Sequence, residues 1–139
     1  MHIISIPLIP VILTALVMFV VSMLWYSPIA FGNIWQRLSG LTPDMKPTGN
    51  KMYATFGIAF LGSLITSYVL GIVIINSVIF TLIQGMMIGF WMWLGFVVPV
   101  FISQYLWATH KKHLTIYAID LGQLLIVLLI GSAILSRIL

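Results

Sequence analysis

Asp120 is the side chain in this sequence most capable of chemistry, because it is an acid inside an otherwise apolar stretch. The chain has only two acidic residues, and the other, Asp44, lies in a polar segment rich in proline and glycine. A carboxylate at membrane depth can hold a proton, a cation or a small polar ligand, and it can also bind helices together through hydrogen bonds. We expect Asp120 to face protein or trapped water rather than lipid.

Further polar side chains fall at a depth comparable with that of Asp120 when each apolar stretch is counted from its more basic end. Tyr117 and Gln123 precede and follow Asp120 by three positions, so all three lie on one helical face. The other stretches contribute four more candidates to this polar layer, namely Ser22, Tyr26, Ser103 and Gln104. The layer is either a ligand site or a hydrogen-bonded packing device, and the sequence favours the second.

Small residues in the third apolar stretch predict close helix packing and a bend. Gly85 and Gly89 have the four-residue spacing that lets two helix backbones approach closely. Pro99 has no amide hydrogen to give to Gly95, so we expect the helix to bend there. Such a bend either frames a cavity near Asp120 or is a passive kink, and we expect these four residues to serve helix packing.

The chemistry of soluble enzymes has no counterpart in this sequence. It contains no phosphate-binding loop, no nucleophile elbow, no paired carboxylates and no zinc-protease histidine pair. It also has no cysteine, which excludes thiol catalysis and cysteine-ligated metals. His110 and His113 flank two lysines whose positive charge repels a cation. We therefore expect no catalytic residues, no metal site and no cofactor, in a protein that is not an enzyme.

The composition places these residues in a membrane. Of the 139 residues, 62% are hydrophobic and 6% are charged, against about 45–50% and about 25% in soluble domains. A small soluble domain buries only about two-thirds of its surface and could not hide so much apolar area. The net charge of +4 comes from too few basic residues to form a stripe that binds nucleic acid. The expected partners are therefore membrane lipids and other membrane helices.

Four apolar stretches are long enough to cross a bilayer, which takes about 20 residues each. They cover about residues 4–30, 53–75, 79–107 and 114–135 of a single domain, 1–139, and Asp120 is the only charged residue in any of them. The Leu, Ile and Val side chains that follow it contribute about −3 to −6 kcal/mol to insertion, more than the acid's cost of about 2.5–3.5 kcal/mol. The sequence thus predicts an all-α integral membrane protein, with four transmembrane helices in an antiparallel bundle.

The charge distribution predicts how this bundle is oriented. Five of the six basic residues lie in the segments between the first and second stretches and between the third and fourth, namely Arg37, Lys46, Lys51, Lys111 and Lys112. The sixth, Arg137, lies at the opposite end of the bundle. Cytoplasmic loops of membrane proteins are enriched in Lys and Arg. We expect these two segments to face the cytoplasm and both termini to face outside.

The first basic segment begins with a short amphipathic stretch, at about residues 31–40. Its apolar side chains have the spacing of one helical face, at Phe31, Ile34, Trp35 and Leu38. A short helix of this kind lies in the headgroup plane of a membrane with its apolar face toward the lipid. We expect Arg37 to point away from the lipid.

Three segments of the chain together resemble a known family. They are Trp25-Tyr26-Ser27-Pro28 with Phe31-Gly32, Trp35 and Leu38-Ser39-Gly40-Leu41; Gly95-Phe96-Val97-Val98-Pro99 with Gln104-Tyr105-Leu106; and Tyr117-Ala118-Ile119-Asp120-Leu121-Gly122. In order and spacing they resemble the small bacterial membrane proteins grouped as the domain of unknown function 1761 family. Gln104 and Asp120 stand where asparagine is usual in that pattern. The resemblance implies a four-helix fold in the bacterial cytoplasmic (inner) membrane, and it implies no particular activity.

Two functions follow as alternatives from these features. The first is a non-enzymatic structural or accessory subunit, which forms homo-oligomers or binds other membrane proteins. The second is a small transporter or channel that passes a proton, a cation or a small polar solute through the polar layer at Asp120. The first is preferred because a transporter usually carries more than one ionisable group within the membrane.

Overall fold

The computed structural model describes residues 5–79 and 81–139, and the regular structure within them is helical. The helices are α1 (Leu8–Trp25), α2 (Gly32–Ser39), α3 (Asn50–Ile75), α4 (Leu82–Met92), α5 (Val98–Trp107) and α6 (Leu114–Ile138). A short 3-10 helix, Pro43–Met45, precedes α3, and a π-helical turn, Trp93–Val97, joins α4 to α5 without a break. The all-α fold class predicted from the sequence is confirmed.

Four helical stretches among the described residues are long and apolar enough to cross a membrane. They are Leu8–Trp25, Asn50–Ile75, Leu82–Trp107 and Leu114–Ile138. Each coincides with one of the stretches predicted from the sequence, although their ends differ by a few residues. The start of the first predicted span, residue 4, lies outside the described residues.

The largest of these differences is at the end of the first span, which stops at Trp25 rather than at residue 30. Pro28 disfavours helical geometry in the residue before it and has no amide hydrogen to continue the helix. The chain instead turns sharply, and the Phe31 amide donates to the Trp25 carbonyl at 2.9 Å. This turn sends α2 back toward the bundle.

The helices bury narrow faces that match the helical repeat. In α1 the buried residues are Val11, Thr14, Ala15 and Met18, and in α3 they are Ser67, Leu70, Gly71 and Ile74. Both sets have the spacing i, i+3, i+4, i+7. The buried hydroxyl of Ser67 donates to the Val11 carbonyl at 2.9 Å, which joins the two faces directly.

Helix α6 is the central element of the bundle. It packs against α1, α3 and α4, and also contacts α2, α5 and the π turn. Its buried residues extend over nearly the whole helix, from Ile116 to Leu135. The hydrophobic core that it shares with α1 and α3 consists of Met18, Leu70, Ile74, Val127, Leu128 and Leu135.

Two glycines let α4 lie directly against α6. A Cβ atom added to Gly85 would stand 2.3 Å from the Ser136 hydroxyl oxygen. One added to Gly89 would stand 2.4 Å from the Ser132 hydroxyl oxygen and 2.5 Å from the Leu128 carbonyl oxygen. Real Cβ atoms do not approach so closely, so this contact depends on glycine at both positions.

Candidate functional site

The Asp120 carboxylate is hydrogen-bonded by two side chains from different parts of the chain. The Tyr26 hydroxyl donates to Oδ1 of Asp120 at 2.6 Å, and Nε1 of Trp35 donates to the same oxygen at 3.0 Å. The two donor rings meet edge to face, with their centroids 5.8 Å apart. Asp120 is half-buried. Its two partners, the Tyr26 hydroxyl and the Trp35 indole, are neutral hydrogen-bond donors.

Two further tryptophans donate to the backbone of α6 on either side of Asp120. Nε1 of Trp25 donates to the Ile119 carbonyl at 3.1 Å, and Nε1 of Trp93 donates to the Leu121 carbonyl at 2.9 Å. We call the four donors, Trp25, Tyr26, Trp35 and Trp93, the aromatic clamp. It ties α1, α2 and the π turn to three consecutive residues of α6.

The next turn of α6 continues these contacts. A Cβ atom at Gly122 would stand 3.1 Å from the Trp25 ring, so a small residue is needed for the ring to lie flat against the helix. Gln123, which is 8% exposed, donates from Nε2 to the Ser22 hydroxyl at 2.6 Å. Ser22 in turn donates to the Met18 carbonyl at 2.9 Å. These bonds give the buried amide nitrogen a partner within the protein.

The turn between α1 and α2 places Trp35 against Asp120. The Gly32 amide donates to the Ser27 carbonyl at 3.0 Å, and a Cβ atom at Gly32 would stand 2.2 Å from the Tyr26 carbonyl oxygen. Only glycine fits at this position without moving α2 away from the end of α1. Since Trp35 lies about one turn further along α2, Gly32 fixes one donor of the clamp.

The π turn places the fourth donor. Pro99 has no amide hydrogen for the Gly95 carbonyl, and the Val98 amide bonds the Trp93 carbonyl five residues back. The interruption expected at Gly95 and Pro99 is therefore a π turn, a local widening of the helix. It contacts α6 and directs the Trp93 indole toward Leu121.

The structure brings together four of the seven residues predicted for the polar layer, and it sets three apart. Tyr26 bonds Asp120, and Ser22 bonds Gln123, as described above. Tyr117 instead packs edge to face against the Tyr105 ring, with centroids 5.5 Å apart. Ser103 and Gln104 are exposed side chains on α5, and their expected place beside Asp120 stays a prediction.

The four residues predicted for helix packing fall into two pairs with different surroundings. Gly85 and Gly89 lie in the contact between α4 and α6. Gly95 and Pro99 are exposed, and a Cβ atom at Gly95 would meet no atom within 4 Å. Their expected packing role stays a prediction, and what the structure gives both residues is a part in the π turn.

Sequence reasoning missed the part played by Trp35. Trp35 was expected on the lipid-facing side of an amphipathic helix, yet its indole nitrogen reaches Asp120. A signal for this was present, since an indole N–H needs an acceptor when it lies in an apolar region. Asp120 is the one carboxylate that the sequence places within a span.

Two cavities adjoin the clamp, and Tyr26 lines both of them. The larger, about 770 Å³, lies between α1, α3 and α6 and includes Ser22 and Gln123 in its wall. The smaller, about 230 Å³, is lined by Tyr26, Trp35, Gln36 and Leu41. Asp120 itself lines neither cavity.

The fold and the clamp define a small integral membrane protein with four spanning helices and a polar connection near one end of the bundle. The chain matches the profile of one family, the protein of unknown function DUF1761, over residues 9–136. This match covers nearly the whole chain, so the protein belongs to the DUF1761 family, as the resemblance indicated. Neither the curated proteins nor the solved structures include a match to this chain.

Proposed function

We propose that this protein is a non-enzymatic structural or accessory subunit of a membrane-protein assembly, and that the aromatic clamp holds its helix bundle together. The observation that carries this proposal is the pair of hydrogen bonds from Tyr26 and Trp35 to Asp120. An acid within a membrane is costly unless it is partnered. Here its partners come from the same chain, as expected for polar side chains that join helices.

The surroundings of Asp120 support the packing interpretation in a second way. Gln123 donates to Ser22, which donates to a backbone carbonyl, so both side chains have partners within the protein. Among the described residues, no three His, Asp or Glu side chains come together as metal ligands would. Polar groups that already have partners gain little from binding a cation or a polar solute.

The proposal extends to the location and the partners of the protein. We propose that it lies in the bacterial cytoplasmic membrane with the basic segments inside and both termini outside, because of the distribution of Lys and Arg. The four candidate spans leave most of their surface exposed, with at most 33% of a span window buried. Such a thin bundle suits assembly with further copies of itself or with other membrane proteins.

A transporter or channel is the second candidate, and one observation favours it. Tyr26 lines both cavities while it bonds Asp120, so the carboxylate lies one hydrogen bond away from both of them. A proton or a small cation could pass from one cavity to the other by way of Asp120. In a transporter of this kind, Asp120 must release its hydrogen bonds from Tyr26 and Trp35 and form them again each time an ion passes.

Proton and cation flux in proteoliposomes separates the two candidates. We expect vesicles that contain the wild-type protein to leak protons, Na⁺ and K⁺ no faster than empty vesicles do. Vesicles with Asp120→Asn, which keeps an oxygen acceptor for Tyr26 and Trp35, should behave in the same way. A wild-type flux above that of empty vesicles, abolished by Asp120→Asn in a folded protein, would replace the structural proposal with the transport one.

A further inference from the structure

The larger cavity is an open groove beside the first half of α3. We call it the α1–α3 groove; its walls include Phe19 of α1, Phe56 and Gly62 of α3, and Leu128 of α6. A Cβ atom at Gly62 would meet no atom within 4 Å, so the groove is open at this position. Across it the Phe19 ring packs edge to face on Phe56, with centroids 6.5 Å apart. The volume of about 770 Å³ lies within the range of ligand sites, about 300–1,000 Å³.

The polar side chains of the groove are already used within the protein. The hydroxyls of Thr55, Ser63 and Thr66 donate to carbonyls of their own helix, at 2.8, 3.4 and 3.0 Å. Ser27 does the same at 2.6 Å, and Ser22 and Gln123 are bonded as described above. A polar solute would therefore find few donors to bind. The groove presents an apolar surface formed by Met, Phe, Val and Leu side chains, which suits a hydrocarbon chain.

Basic residues follow the groove at one end, although none is among its lining residues. Thr55 marks this end, and its hydroxyl bonds the carbonyl of Lys51, one helical turn earlier. Lys51 is exposed and lies about 6 Å from Thr55 along the axis of α3. Arg37 and Lys46 belong to the same end of the bundle, and the chain carries a net charge of +4. An anionic group at the mouth of the groove would be attracted by these side chains.

We propose that the α1–α3 groove binds an anionic phospholipid. One acyl chain lies between α1 and α3 and extends toward Leu128, while the phosphate lies at the mouth near Lys51. The apolar wall selects a hydrocarbon chain, and the basic mouth selects a negative headgroup. The groove adjoins the aromatic clamp at Tyr26, which lines it, but lipid binding there does not depend on the role proposed for the clamp.

Native mass spectrometry of the detergent-purified protein tests the proposal through binding of the first lipid. Phosphatidylglycerol and phosphatidylcholine with identical acyl chains serve as probes. We expect phosphatidylglycerol to bind more tightly, and Lys51→Gln to weaken it about fivefold, the effect of one lysine near an anionic lipid. Lys112→Gln, which removes a basic residue from the other loop, is the matched control and should leave the affinity within twofold.

A second pair of variants tests the groove itself. Gly62→Trp places a bulky ring in the groove and should remove binding of the first lipid of either kind. Gly57→Trp places the same ring on the same helix outside the lining residues and should preserve it. Thermal melts followed by circular dichroism establish that both variants are folded.

Three results would overturn the proposal. The first is equal lipid binding by Gly62→Trp and Gly57→Trp, which would mean that lipid binds elsewhere. The second is equal affinity for the two headgroups in the wild type, or equal losses for Lys51→Gln and Lys112→Gln. The third is a wild-type dimer that Gly62→Trp dissociates, which would make a second copy of the chain the occupant. None of these results bears on ion flux, so the proposed function is tested separately.

Discussion

The Tyr26 hydroxyl donates a hydrogen bond of 2.6 Å to the Asp120 carboxylate, joining the end of α1 to α6 across 94 positions of the sequence. Trp35 donates to the same oxygen, so α2 is held at the same point. The donors on either side, Trp25 and Trp93, fasten the backbone of α6. Asp120 and the two residues beside it therefore connect α6 to α1, α2 and the π turn.

The first prediction concerns the polar oxygen of residue 120. Asp120→Asn keeps an oxygen that accepts from Tyr26 and Trp35, and it should lower the free energy of unfolding by less than about 1 kcal/mol. Asp120→Leu leaves both donors without an acceptor, and it should cost about 2–4 kcal/mol. Denaturant titration in detergent micelles, followed by circular dichroism, measures both values. Equal losses for the two variants would show that the hydrogen bonds contribute nothing.

The second prediction concerns the contact between α4 and α6. Gly89→Ala adds a methyl group that would stand 2.4 Å from the Ser132 hydroxyl oxygen, and the helices must separate to admit it. We expect a loss of about 1–3 kcal/mol in the free energy of unfolding, as for other overpacked sites. Gly62→Ala, with open space around the new methyl group, is the control and should be neutral or stabilising. A control that loses as much as Gly89→Ala would rule out the contact as the cause.

The third prediction concerns the turn that positions Trp35. Gly32→Ala forces α2 away from the Tyr26 carbonyl and should weaken the Trp35 hydrogen bond to Asp120. We expect a loss of near-ultraviolet circular dichroism from the tryptophans and a fall of about 1–3 kcal/mol in stability. Asn33→Ala, at the exposed neighbouring position, should leave both measurements unchanged. An unaltered spectrum for Gly32→Ala would mean that α2 tolerates the shift.

The sequence was sufficient for the elements of the fold and for part of the site. Long apolar stretches predicted the four spans because a helix is the simplest way to satisfy backbone groups in lipid. The spacing of Gly85 and Gly89 predicted a close helix contact, and depth along the membrane brought Tyr26, Ser22 and Gln123 near Asp120. Each of these inferences uses the length of an apolar stretch or the spacing of residues within it, and both can be read directly from the sequence.

The rest of the site depends on how each helix is rotated about its own axis. The depth of a residue in the membrane does not determine this rotation. Ser103 and Gln104 were placed at the level of Asp120, yet they follow the π turn. A π turn uses one residue more than an α turn, which rotates every later side chain by about 100°. The indole of Trp93, at the start of this turn, bonds α6, whereas Trp91, which precedes the turn, is 57% exposed. The sharp turn at Pro28 and Gly32 likewise moves Trp35 from the lipid side to the clamp.

The fourth prediction concerns the orientation of the bundle. The chain has no native cysteine, so single cysteines can be introduced by Asn76→Cys and Lys111→Cys. A thiol reagent that does not cross the membrane should label residue 76 from outside intact cells, and should reach residue 111 only after permeabilisation. This follows from the bias of Lys and Arg toward cytoplasmic loops. Labelling of both positions in the same compartment would exclude four crossings with this arrangement.

A double-mutant cycle between Tyr26 and Asp120 tests the clamp most directly. The free energies of unfolding of Tyr26→Phe, Asp120→Ala and the double variant are compared with that of the wild type in one detergent. We expect the two changes to be coupled by about 0.6 to 1.7 kcal/mol, which are the mean and the maximum measured for hydrogen bonds between membrane helices. Strictly additive losses would contradict the claim that this hydrogen bond fastens α1 to α6.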